Sequence, residues 1–178
     1  MKLVAVGLSG KIGSGKSTLA LELANTLRCP RVGFGDYVRI VARKLGLSES
    51  RETLQGVGES LLAADPEGFC RAVIGQANWD PSQSLIVDGI RHKQVVDIIR
   101  QLVAPTRFVL MFVSADDRLR ESRLIARDEE DSMTMQQIES HSTEREVASE
   151  LRLLADIEVD ASLPIEGIIV QIRNVVEP

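Results

Sequence analysis

Eight residues near the start constrain this chain more than anything else in it: Gly10-Lys11-Ile12-Gly13-Ser14-Gly15-Lys16-Ser17 reads G-x-x-x-x-G-K-S. The run follows the apolar stretch Leu3 to Leu8, which reads as a buried strand. It opens a segment in which Leu19, Leu23 and Leu27 recur every four residues, marking one helix face. Chance would produce such a match in roughly one chain of this length in 150. Gly10, Gly13 and Gly15 let the backbone curl until consecutive N–H groups face one anion, and the helix N-terminus adds positive potential. With Ser14 and Thr18 they form the candidate cradle for the phosphates of ATP. Lys16 would reach the β- and γ-phosphates, and the Ser17 hydroxyl would ligate Mg²⁺. A dinucleotide fold would suit Asp36, about 20 residues past the glycines. Its G-x-G-x-x-G spacing, however, would put the third glycine where Thr18 stands.

A strand–loop–helix start predicts an α/β chain, and the rest of the pattern agrees. Short apolar runs at Arg31 to Phe34, Leu85 to Val87, Phe108 to Val113 and Ile157 to Val159 alternate with helical periods. Those helices are marked by Val38/Val41/Leu45, Leu54/Val57/Leu61, Phe69/Val73/Ala77, Val95/Ile98/Ile99/Leu102 and Val147/Leu151/Leu154. Arg118 to Arg127 also reads as helical, and Pro164 opens a helix carrying Ile165, Ile168, Ile169, Ile172 and Val175. The expectation is one domain over residues 1–178 with a parallel sheet covered by helices. Two interruptions break the alternation: consecutive helices from Ser50 to Asn78, and a polar stretch from Asp128 to Glu146.

Composition narrows the partners. Aromatics make up 3% of the chain, so the core must rest on Leu, Ile, Val and Ala. A net charge of −5 without a basic run argues against a nucleic-acid polymer. A small anionic ligand held by a few arginines remains compatible with that charge. Cys29, Cys70, His92 and His141 form no close-spaced metal or redox motif. The first eight residues run straight into the glycine loop, unlike a signal peptide, and no apolar run approaches the ~20 residues of a membrane span. The reading is a cytoplasmic protein, a monomer or homodimer. Asp88 ends an apolar strand, where a carboxylate serving Mg²⁺ belongs in a phosphate-loop protein.

Further segments resemble those of nucleoside monophosphate kinases. Gly35-Asp36-Tyr37-Val38-Arg39 is similar to the G-D-x-x-R stretch of adenylate kinases, whose arginine holds the acceptor's phosphate. Asp88-Gly89-Ile90-Arg91 resembles their D-G-x-x-R segment, one residue shorter. Arg123-Leu124-Ile125-Ala126-Arg127 resembles the R-[IL]-x-x-R of the lid, with Arg145 where a second lid arginine would fall. Arg51-Glu52-Thr53-Leu54-Gln55-Gly56-Val57-Gly58 is similar to the R-x-x-x-Q-x-x-G of phage-type deoxynucleoside monophosphate kinases. An archaeal-type group of adenylate-kinase-like proteins has the G-D-x-x-R and D-G-I-R pair as well.

The resemblance implies a three-layer fold: a five-stranded parallel sheet with the phosphate-loop strand in the middle and helices on both faces. It implies an acceptor-binding arm over residues 35–80 and a lid over 123–146. It assigns Lys16, Asp88, Arg91, Arg123 and Arg127 to phosphoryl transfer, and Asp36, Arg39, Arg51, Gln55 and Arg91 to a small nucleotide acceptor. Ser17 and Asp88 are the expected metal ligands, with ATP and Mg²⁺ as cofactors. Arginines converging from separate segments suit phosphoryl transfer, where catalysis is positioning plus neutralisation of charge on the moving group.

Three other functions fit the residues less well or less specifically. A dephospho-coenzyme A kinase shares the layout but usually shows D-x-D after the second strand, where this chain has Gly35-Asp36. A GTP switch needs N-K-x-D, and the fourth strand ends Val113-Ser114-Ala115-Asp116. Asp65-Pro66-Glu67-Gly68 spells D-x-x-G but follows a helical pattern. A non-catalytic ATP-binding regulatory module would keep the same phosphate loop.

Overall fold

The computed structural model describes residues 2–126, 145 and 147–177. Strand β1 (Val4–Ser9) runs into the glycine loop and helix α1 (Lys16–Leu27). Strand β2 (Arg31–Gly33) is followed by three helices, α2 (Phe34–Lys44), α3 (Arg51–Ala64) and α4 (Pro66–Gly75). Then come β3 (Leu85–Asp88), α5 (Lys93–Leu102), β4 (Arg107–Ser114) and α6 (Asp117–Ile125). A π-helical turn (Val147–Leu151) leads into the short α7 (Arg152–Leu154), then β5 (Ile157–Asp160) and α8 (Ile165–Val176).

The five strands are parallel throughout, in the order β2-β3-β1-β4-β5, so β1 occupies the middle as expected. Side chains alternate across a strand, and here both sets are apolar because both faces are covered. Ala5, Leu85, Val87, Phe108, Leu110 and Phe112 pack on one side with residues of α2 to α5. Val4, Val6, Leu8, Ile86, Val109, Met111 and Val113 pack on the other with α1 and α8. Each fully buried aliphatic side chain of this kind contributes about 1.5–3 kcal/mol. No helix among the described residues is long and apolar enough to cross a membrane.

Helix ends account for the places where structure and sequence expectation differ. Phe34 does not extend β2 but begins α2, its ring meeting Phe69 edge-on at 5.2 Å between centroids. Asp36 in that helix's first turn complements the dipole. The run expected from Arg118 to Arg127 starts at Asp117, because Asp116 caps it by accepting from the Arg118 amide at 2.9 Å. It ends at Ile125. Arg127 and most of the expected lid lie outside the described residues. Asp65 sits between α3 and α4 and accepts from the Gly68 amide at 2.8 Å, so the D-x-x-G spelling is a helix cap followed by Pro66.

Strand register fixes what stands at the carboxyl edge of the sheet. Asp88 pairs with Leu8 on one side and Gly33 on the other. The loops leaving β1, β2 and β3 therefore emerge side by side, at the edge where ligands of open α/β sheets bind.

Candidate active site

The glycine loop is built for close approach. Gly13 has φ 78° and Gly15 φ 92°, left-handed values that turn successive amides toward one concave face. The Ser14 amide donates to Lys11 O at 3.2 Å and closes the turn. Gly15 caps α1, so Ser17 and Thr18 stand exposed in the helix's first turn. Lys16 is buried, its Nζ 3.3 Å from Lys11 O and folded back along the loop.

Helix α6 clamps this loop from outside. Arg120, 1% exposed, donates from Nε to Ile12 O at 3.0 Å and from Nη1 to Asp117 at 2.6 Å. Arg123 Nη1 donates to Gly13 O at 3.3 Å and Ser14 O at 3.1 Å. These bonds take up carbonyls on the outer side of the turn, which favours amides facing inward. Asp160, at the end of β5, lies within the field of Arg123. Its carboxyl is held below the usual carboxylate range mainly by hydrogen bonds from Ser162, with a smaller pull from Arg123.

Across the edge, Asp88 is buried at the end of β3. Its Oδ2 accepts from Arg31 Nη1 at 3.0 Å, while its Oδ1 has no hydrogen-bond partner among the described residues. Buried Ser9 Oγ and Ser14 Oγ are likewise without partners. A buried carboxylate oxygen left without a donor is costly unless something else satisfies it. Hard oxygen donors of this kind suit Mg²⁺, so Asp88 and the exposed Ser17 fit the expected ion. The loop after β3 is locked to β1, because the amides of Gly89 and Ile90 both donate to Leu8 O, at 3.2 and 3.0 Å. Half-buried Arg91 follows directly.

On α2, Asp36 accepts from Arg31 Nη2 at 2.7 Å, and Arg39 lies 3.7 Å from Asp36 and 3.9 Å from Glu49. Glu49 also pairs with Arg43, which is the main reason its carboxyl is held below the ordinary range. Arg51 and Gln55 stand half-buried on α3, with Gln55 Nε2 3.5 Å from Glu59 Oε1. Fold and register thus put the glycine loop, Asp88, Asp36, Arg39, Arg91 and Arg123 on one edge of the sheet, with Arg51 and Gln55 on α3. Sequence reasoning missed Arg31 and Arg120. Arg31 opens a strand 57 residues before its partner Asp88, and Arg120 sits in a charged run that reads as a solvated face.

Comparison with known proteins bears on the family and the fold. The AAA domain family matches residues 6–147. A UPF0200 protein of Methanothrix thermoacetophila is 31% identical over 147 residues, covering 82% of this chain and 78% of the relative. A cytidylate kinase of Pyrobaculum arsenaticum is 27% identical over 160 residues, covering 89% and 77%. In fold, the chain is similar to shikimate kinase from Aquifex aeolicus. The TM-score is 0.59 at 19% identity, over 97% of this chain and 96% of the other.

Proposed function

We propose that this chain, which belongs to the AAA domain family of P-loop kinases, is an ATP-dependent phosphotransferase acting on a nucleoside monophosphate. One observation carries the reading. A phosphate cradle and a second set of arginine-bearing segments leave adjacent strands at the same sheet edge, with a buried carboxylate between them. A one-ligand ATP module has no use for the second set. The similarity to a cytidylate kinase over 89% of the chain supports a pyrimidine nucleotide, and CMP first, as the acceptor.

Placement supports the following division of labour. The loop amides and Lys16 hold the phosphates of ATP, and α6 keeps the loop in shape through Arg120 and Arg123. Arg39 and Arg91 grip the acceptor's phosphate and aim an oxygen of it at the terminal phosphorus of ATP. Ser17 and Asp88 would hold Mg²⁺, which neutralises charge on the β- and γ-phosphates when bound. No general base of perturbed acidity is required, because the acceptor oxygen already carries negative charge.

A binding experiment tests the two-site reading. Arg forms charge-assisted bonds to phosphate of about 1.5–3 kcal/mol each. Arg39→Ala should therefore weaken CMP binding on the order of tenfold or more, since ~1.4 kcal/mol is a factor of ten. ATP affinity, measured calorimetrically without acceptor, should hold within about twofold. Arg39→Lys should recover only part of the loss, because an ammonium keeps the charge without the fork. If ATP binding collapsed in Arg39→Ala while CMP affinity stayed constant, a one-ligand module would be the better account.

A further inference from the structure

We propose that Arg31 is a positioning residue that ties the acceptor half of this site to the transfer half, and that Gly33 is a glycine to make room for it. The inference rests on the kinase reading above. One guanidinium is forked between two carboxylates from different elements: Nη1 to Asp88 Oδ2 at 3.0 Å and Nη2 to Asp36 Oδ2 at 2.7 Å. Asp88 ends β3 beside the phosphate loop, while Asp36 lies in the first turn of α2, one helical turn before Arg39. The side chains of Arg31 and Asp36 are 26% and 47% exposed, so a ligand entering the edge meets the Asp36 end first. Asp88 is 8% exposed on its side chain, and Arg31 gives this buried carboxylate a resident counter-charge. It also occupies Oδ2, while the buried Oδ1 has no hydrogen-bond partner among the described residues.

Gly33 supplies an independent observation. Its φ of −137° is ordinary strand geometry, which any residue adopts, so backbone freedom does not explain it. Space does. A Cβ at Gly33 would stand 2.6 Å from Asp36 Oδ2 and 3.3 Å from Arg31 Nη1. The missing side chain is where the Arg31–Asp36 pair sits. Backbone, charge and cavity are arranged around one fork, and an arginine meets that geometry where a lysine's single ammonium does not.

The test uses Arg31→Ala, Arg31→Lys, Asp36→Asn and Gly33→Ala in the full chain. The measurements are CMP binding by calorimetry without ATP or Mg²⁺, ATP binding without CMP, and steady-state kinetics with both. Arg31→Ala should lower kcat at least tenfold and weaken CMP binding several-fold, with ATP affinity within twofold of wild type. Gly33→Ala, which pushes Asp36 off the fork without removing a charge, should weaken CMP binding to the same degree. Asp36→Asn should add little to either Arg31→Ala or Gly33→Ala, because the pair acts as a unit. Arg31→Lys should restore thermal stability more than kcat. The proposal fails if Arg31→Ala is folded and keeps wild-type kcat and CMP affinity, if Arg31→Lys restores kcat in full, or if Gly33→Ala binds CMP normally. Wild-type protein that turns over no nucleoside monophosphate would instead refute the kinase reading, so the two failures are told apart by the control.

Discussion

Alanine at position 13 would ask the phosphate loop for two things at once. The first is a side chain at φ 78°, a left-handed conformation that costs an L-residue about 1–2 kcal/mol. The second is space, because the new Cβ would stand 2.9 Å from Arg120 O and 3.3 Å from Arg120 Cα. These are backbone atoms of α6, and they cannot swing aside as a flexible side chain would. Arg120 is itself buried and bonded to Ile12 O, so moving the helix away breaks the clamp on the loop. Overpacking of this kind costs about 1–3 kcal/mol.

Gly13→Ala should therefore lose about 2–5 kcal/mol in urea unfolding, out of a total of about 5–15 for a domain. ATP affinity by calorimetry should fall on the order of tenfold or more, because any relaxation of the strain tilts the amides away from the phosphates. Gly167→Ala is the matched control. It lies in α8 with nothing within 4 Å of the added Cβ, and should gain about 0.5–1 kcal/mol. Stability of Gly13→Ala within about 0.5 kcal/mol of wild type, with unchanged ATP affinity, would refute the packing argument.

Three further outcomes follow from the site and its surroundings. Lys16→Ala should lower turnover by orders of magnitude with the fold intact by circular dichroism, since Lys16 belongs to neither apolar core cluster and its Nζ lies 3.3 Å from the loop carbonyl of Lys11. Asp88→Asn should weaken the Mg²⁺ dependence and lower kcat more than it raises the KM for ATP; an unchanged metal titration and kcat would leave Asp88 only its structural role as the partner of Arg31. Burial pushes both Cys29 and Cys70 up to about 11, so the thiolate is about one thousandth of either at pH 8. Alkylation of native protein should then be slow and rise about tenfold per pH unit up to pH 10, whereas rates typical of an exposed thiol at pH 8 would contradict that burial.

The fold was legible because its signals are local. Leu19 and Leu23 do line the buried face of α1, and the apolar run Phe108 to Val113 is an interior strand buried on both faces. Strand order had no such local signal, and came only through resemblance. Phe34 was misplaced because an apolar residue between a strand and a helix suits either, and the choice was made by Phe69, 35 residues away. The glycine loop could be read residue by residue, since its chemistry lies in contiguous backbone. Arg31 and Arg120 could not. An arginine's partner is a tertiary fact, and nothing local distinguishes the buried Arg120 from the half-buried Arg123 three residues on. Gly33 was likewise silent, because its reason is the volume taken by Arg31 and Asp36 rather than an unusual φ.

The proposed function requires this sheet edge to pass a phosphoryl group between two bound nucleotides. The direct measurement is to incubate the full chain with Mg²⁺ and ATP labelled in its γ-phosphate, alongside CMP, UMP, AMP, GMP, their deoxy forms and dephospho-coenzyme A in separate reactions. ADP and labelled product are then separated and quantified. Label should appear in a nucleoside diphosphate, with one ADP formed per acceptor phosphorylated, and both should be lost in Lys16→Ala. ATP bound and either left intact or hydrolysed to free phosphate at the same rate with every acceptor and with none would contradict the proposed function.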